Sequence, residues 1–174
     1  MKGIHRQFQK LEYKREKLMH QLLSLTEEQY TKRPSVGSWS AIEAANHVYL
    51  SEKLSLAYLK KKLAYPDTIP PYHFKSWGGV VLIKLVFGTG YKWNAPETID
   101  MRHQQPVLSP EELRLKWPLQ RQEMISFIES HMPSFGSHLA YRHPYAGRMT
   151  MHQMLIFLND HLGHHMKQIE RILK

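Results

Sequence analysis

The stretch from Thr150 to Lys174, TMHQMLIFLNDHLGHHMKQIERILK, decides how this chain folds. It holds no proline and one glycine, Gly163, and its apolar residues recur at helical spacing. Thr150, with Gln153 three positions on, offers a capping box for its start. With His161 set at zero and roughly 100° per residue, His165 falls at about 40°, Gln168 at about −20°, Met154 at about 20° and Leu158 at about 60°. Two imidazoles and an amide thus share a stripe that should otherwise be a hydrophobic core seam. Burying such groups without partners costs roughly 2–7 kcal/mol each. Histidines at i and i+4 on one helix face suit a shared metal ion. An isolated pair of this kind is, however, more often surface or hydrogen-bonded core, and 12 His in 174 residues make chance pairs frequent.

A third histidine changes that balance. Trp39-Ser40-Ala41-Ile42-Glu43 reads as a helix start, with Ser40 as cap and Glu43 completing the capping box. The helix that follows is expected to run to about Ala64, just ahead of Pro66. On it Ala44, His47, Leu50, Ser51, Leu54 and Tyr58 fall on one stripe, so His47 points where a core residue belongs. A single buried His is ordinarily explained by a hydrogen bond to a carbonyl. Three inward-facing imidazoles, His47, His161 and His165, are better explained by one shared site.

Two more long helices complete the chain. Ile4, Phe8, Leu11, Leu18, Leu22 and Leu25 mark a first helix over 4–25, followed by a short turn around 27–30. Ser109-Pro110-Glu111-Glu112 opens a third with a capping box and Pro at its first position; it should kink at Pro118 and end before Pro133. Between the second and third helices, residues 65–108 are broken by Pro and Gly, with room for a short helix at 80–87. So long a connection lets its flanking helices run parallel and is usually functional. Its aromatics Tyr72, Trp77, Tyr91 and Trp93 either anchor it or line a pocket mouth. Residues 141–149 read as a turn-rich approach to the last helix. The expectation is an all-α four-helix bundle, with a long crossover between helices 2 and 3, as one domain over 1–174.

Composition narrows the function. No cysteine is present, so disulfides, thiolate sites and cysteine nucleophiles are excluded, which fits a reducing cytoplasm. Any metal must be held by nitrogen and oxygen. The N-terminal residues lack the continuous apolar core of a signal peptide, and the run around 80–87 is too short to span a bilayer, so no membrane partner is expected. The net charge of +9 comes from Lys and Arg spread along the chain, apart from Lys60-Lys61-Lys62, which suits a helix C-terminus. It favours solubility or a small anionic substrate over nucleic acid.

Trp39-Ser40 followed by His47, His143-Pro144-Tyr145 with Gly147, and His161-x3-His165-x2-Gln168-Ile169 together resemble the DinB/YfiT-like family of metal-dependent enzymes. The resemblance covers nearly the whole chain. It implies an up-down-down-up bundle in which His47, His161 and His165 hold a divalent metal, and it implies a homodimer. Relatives of that family include bacillithiol, mycothiol or glutathione S-transferases and hydrolases.

Three neutral imidazoles leave a divalent ion open positions for water or substrate. The favoured reading is transfer of a low-molecular-weight, anionic thiol to an electrophile; a hydrolase, or a metal-stabilised binding module without turnover, are the alternatives. Nitrogen ligands accept Zn, Ni, Fe, Co or Mn alike. Gln168 is placed to orient an imidazole rather than to ligate. His164, some 60° from His161, reads as a solvated edge, and Asp160 as either an orienting partner or part of that edge. No general base is evident. His143 should shape the loop entering the last helix, where Arg142 and Arg148 are placed to hold a carboxylate. His5, His20, His73, His103, His131, His138 and His152 show no pairing that demands a site.

Overall fold

A computed structural model of the chain describes residues 1–89, 99–102 and 106–174. It is mostly helical, with one small two-stranded sheet. Helix α1 spans Lys2–Leu23 and buries Ile4, Phe8, Leu11, Leu18 and Leu22, the stripe expected from their spacing. The turn expected at 27–30 is a short helix, α2 (Glu27–Thr31), because Thr26 and Gln29 form a complete capping box. Helix α3 (Ala41–Leu63) begins at the Ser40–Glu43 box, with Arg33 paired to the Glu43 carboxylate, and ends on Lys60-Lys61-Lys62. Burial of Glu43 opposes its ionisation, but Arg33 and Ser40 outweigh that and hold its pKa below the usual range.

The described part of the connection holds more regular structure than its prolines and glycines suggest. After a single 3-10 turn at Pro66–Thr68, helix α4 runs over Ser76–Thr89, beyond the 80–87 expected. Residues Pro70–Tyr72 pair with Ser137–Leu139, through Tyr72 N–H donating to the Ser137 carbonyl at 2.8 Å and Leu139 N–H to that of Pro70 at 2.9 Å. Tyr91 and Trp93 lie outside the described residues, as does His103.

Helix α5 (Pro110–Phe135) starts at the Ser109–Glu112 capping box and carries both Pro118 and Pro133 inside it. It does not end before Pro133. A proline removes one backbone bond and strains the turn before it, yet its own φ is helical. Met132 and Phe135 pack against the core on either side of it, and that packing carries the helix on for one more turn. Strands β1 (Tyr141–His143) and β2 (Gly147–Met149) then form a hairpin where only turns were expected; His143 pairs with Gly147 across a three-residue loop. Gly147 sits at φ 76°, the left-handed conformation such loops require and side chains resist. Helix α6 (Met151–Ile172) follows, with the Thr150–Gln153 box complete.

The four long helices touch in a closed ring, α1 to α6, α6 to α3, α3 to α5 and α5 back to α1, while α4 lies against α6 and β2. Inside the ring a buried ion pair cross-links three helices. Arg121 of α5 donates to both Glu52 oxygens (2.7 and 2.9 Å) and to Glu12 of α1 (3.0 Å), and Trp117 Nε1–H donates to Glu52 at 2.7 Å. Among the described residues no helix is long and apolar enough to cross a membrane.

Candidate metal centre

His47 lies two turns into α3, and His161 and His165 lie on successive turns of α6, where the two helices pack together. All three are at least nine-tenths buried, and each offers a nitrogen within 4.8 Å of the others. The Nε2 atoms of His47 and His165 stand 3.1 and 3.0 Å from that of His161. Nitrogens bound to one tetrahedral ion at about 2.0–2.1 Å would stand roughly 3.3 Å apart, so small adjustments make room for one.

The outer nitrogens determine what the inner ones are. His47 Nδ1 lies 2.8 Å from the Ile99 carbonyl, which only accepts, so Nδ1 carries the proton and Nε2 is a bare lone pair. His165 Nδ1–H donates to Gln168 Oε1 at 2.8 Å, which bares its Nε2 in the same way. Both lone pairs meet His161, a neutral ring with a single proton. If that proton is on Nε2 it satisfies one neighbour and leaves the other lone pair opposed; if it is on Nδ1, three lone pairs converge. In either case His161 Nδ1 is buried without a partner among the described residues. Neutral imidazoles alone cannot balance this cluster. A cation at its centre does, so the residues present fit a divalent metal.

Electrostatics agree with that fit. Burial pushes the His47 pKa down to about 4, against a smaller upward pull from Ile99 and Asp100. Burial, and then the neighbouring rings, push His161 and His165 well below the usual imidazole value. All three are therefore neutral and ready to ligate near neutral pH. Trp39 caps the cluster, its ring 4.7 Å from His47 and 6.1 Å from His165.

The site opens into a cavity of about 1080 Å³ whose wall includes the three histidines, Trp39, Phe157 and His143. Arg102, Arg142 and Arg171 also line it, whereas no Asp or Glu does among the described residues. Arg102 is engaged by Asp100, while Arg142 and Arg171 are exposed.

Several expectations need correction. His164 is not a plain solvated edge: it is half-buried against the Phe87 ring (5.0 Å) and lines the cavity, because α4 folds over that face of α6. Of the two roles open to Asp160, the helix edge is the one supported: its electrostatic neighbours among the described residues are Lys84, Lys14 and Lys10. Tyr72 and Trp77 are exposed and do not line the cavity. Arg148 stands opposite Arg142 in the hairpin, but only Arg142 reaches the cavity wall. His5 pairs with Glu129 at the surface. Ile99 and Asp100 escaped sequence reasoning altogether, since a backbone carbonyl has no residue-type signature.

No curated protein and no solved structure gives a significant match to the chain. The model of the DinB superfamily matches residues 10–169, a span that contains His47, His161, His165 and the hairpin. The chain belongs to the DinB superfamily.

Proposed function

We propose that this protein is a divalent-metal-dependent S-transferase, with His47, His161 and His165 as the metal ligands. The observation that carries the metal is the convergence of three Nε2 atoms, two of them stripped of protons by Ile99 and Gln168. A divalent cation bound there would supply Lewis acidity, lowering the pKa of an incoming thiol or water. Ile99 and Gln168 orient two of the ligand rings, and Trp39 shields them from water. Arg142 and Arg171 offer positive charge at the rim for the carboxylates of a low-molecular-weight thiol. The lack of a lining carboxylate among the described residues favours thiol transfer over hydrolysis. A thiol needs only to lose its proton to become a strong nucleophile, whereas water attack ordinarily draws on a positioned general base.

The ring of contacts among the four long helices supports a four-helix bundle, and its up-down-down-up order is what membership of the family implies. Residence in the cytoplasm and a homodimer belong to the same reading, and light scattering on the purified protein tests the dimer. The reaction is tested with metal-loaded protein, cysteine or glutathione as thiol and chlorodinitrobenzene as electrophile, beside p-nitrophenyl acetate. Metal-dependent conjugation that disappears in His161→Ala is the expected result. Metal-dependent ester cleavage without any thiol-dependent conjugation would overturn thiol transfer in favour of hydrolysis.

A further inference from the structure

His143 belongs to a motif that neither the metal cluster nor the rim accounts for. Its Nδ1 accepts two backbone hydrogen bonds inside its own hairpin, from Tyr145 N–H at 3.2 Å and Ala146 N–H at 3.1 Å. A nitrogen that accepts two donors carries no proton, so the proton of this neutral ring is on Nε2. Burial pushes the His143 pKa down to about 4, and the ring keeps this single tautomer through neutral pH. The Nε2–H edge makes no hydrogen bond among the described residues, and His143 forms part of the cavity wall. Phe157, 4.5 Å away and itself stacked 5.5 Å from the ligand His161, holds the imidazole one ring removed from the metal cluster.

The hydroxyls of Ser51, Ser55 and Tyr141 do not compete for that role. Ser55 Oγ donates to the Ser51 carbonyl and so accepts from Tyr141 OH, whose proton is thereby used. Ser51 Oγ is shut away from solvent. His143 thus presents a committed, uncharged N–H donor among aromatic rings in this arm of the cavity.

We propose that His143 Nε2–H donates a hydrogen bond to an uncharged oxygen, of the carbonyl class, on an otherwise apolar electrophilic substrate. An apolar body suits Phe157 and Phe87, and a neutral donor matches an oxygen that bears no charge before reaction. When the nucleophile's electron pair forms its bond to the carbonyl carbon, the π pair moves onto that oxygen. His143 then stabilises the developing charge and keeps its proton. The hairpin, with Gly147 in its left-handed turn, acts as the device that sets the tautomer.

This inference rests on reading the cavity as the substrate site and holds for thiol transfer and hydrolysis alike. Its test therefore uses no turnover. Binding of p-fluoroacetophenone and of its hydrocarbon analogue p-fluoroethylbenzene is compared by fluorine NMR, and the carbonyl stretch of isotope-labelled ketone is read in the infrared. The wild-type chain should prefer the ketone roughly five- to tenfold, as one net hydrogen bond allows, with the stretch moved to lower wavenumber. His143→Asn puts an amide oxygen where Nδ1 was and deletes the distal donor; it should keep the fold and lose both the preference and the shift. His143→Gln puts an amide N–H where Nε2 was and should retain both at lower stability. Loss in both variants, retention in the Asn variant, or no preference in the wild type each overturns the proposal. Metal content recorded on the same samples, together with the conjugation assay, reports separately on the metal-dependent reading.

Discussion

The Nε2 atoms of His47 and His161 face each other at 3.1 Å across the junction of α3 and α6, although 114 positions separate them in sequence. His165 brings a second bare nitrogen to the same point at 3.0 Å. A divalent transition metal should therefore bind the folded chain and not the unfolded one. Free metal at a hundred times its dissociation constant adds about 2.7 kcal/mol, which for a chain of this length is about 5–10 °C in Tm. Calorimetry with and without a chelator measures the shift, and His161→Ala should abolish it. If no divalent transition metal moves the melting temperature, the triad is not a metal site.

The same rings make the metal-free protein acid-sensitive. Unfolded, each takes a proton near pH 6.5; folded, His47 resists to about pH 4, and His161 and His165 lie well below their ordinary value. Above pH 6.5 both states are neutral and the rings contribute nothing to the pH dependence. As pH falls from 6.5 toward about 4, the unfolded state binds protons that the folded state refuses, and stability falls by up to about 1.4 kcal/mol per pH unit per ring. Urea melts across that window should show the loss, with a shallower slope in His161→Leu. Equal slopes would mean that the folded chain protonates this ring freely.

Asp100 acts on the cluster at one remove. It accepts from Trp39 Nε1–H at 3.3 Å and from the Arg102 backbone N–H at 3.0 Å, and the Arg102 guanidinium holds its pKa down to about 2. This clamp lies next to the Ile99 carbonyl that meets His47 and should hold it in place. Asp100→Asn should leave the helices folded while weakening metal affinity about 10- to 100-fold, the usual effect of losing a partner behind a ligand histidine. Competition with a chromogenic chelator would read it, and unchanged affinity would show that Ile99 is held without Asp100.

Adjacent glycines in α4 should respond in opposite ways. A Cβ on Gly79 would fall 2.0 Å from the Ala146 carbonyl oxygen, whereas one on Gly78 meets nothing within 4 Å. Gly79→Ala must push α4 off the hairpin and should cost roughly 1–3 kcal/mol or more. Gly78→Ala should gain up to about 1 kcal/mol from helix propensity. Thermal melts of the two variants should move in opposite directions, and two shifts of the same sign would contradict the packing of α4 on that loop.

The buried pair Glu52–Arg121 is stabilising only as a pair. Their side chains are 1% and 3% exposed, with Trp117 also donating to Glu52. Glu52→Leu strands a buried guanidinium and should cost about 3–5 kcal/mol, most of which Glu52→Leu with Arg121→Met should recover. Denaturant melts of the single and double variants give the coupling; additive losses would show that the two charges act independently.

Much of the helical layout was legible in the sequence, because its causes are local. The Ser40–Glu43, Ser109–Glu112 and Thr150–Gln153 capping boxes, and the apolar spacing of α1 and α6, act within a few residues and survive into the structure. The histidines could be named for the same reason: imidazoles on an otherwise apolar stripe conflict with burial wherever they occur. Pro133 and the hairpin at 141–149 were misread because distant packing overrode local preference.

What the sequence by itself determined was that His47 on α3 and His161 and His165 on α6 turn inward, since helical periodicity depends only on neighbours along the chain. Leu54, expected on the same stripe of α3, is instead exposed, while Glu52 is buried by its pairing with Arg121. What the tertiary structure alone decided was the meeting of those side chains at one point and the protonation of their nitrogens. A tautomer is set by whatever group lies against the outer nitrogen. For His47 that group is a backbone carbonyl 52 residues away, which no pattern of residue types can announce.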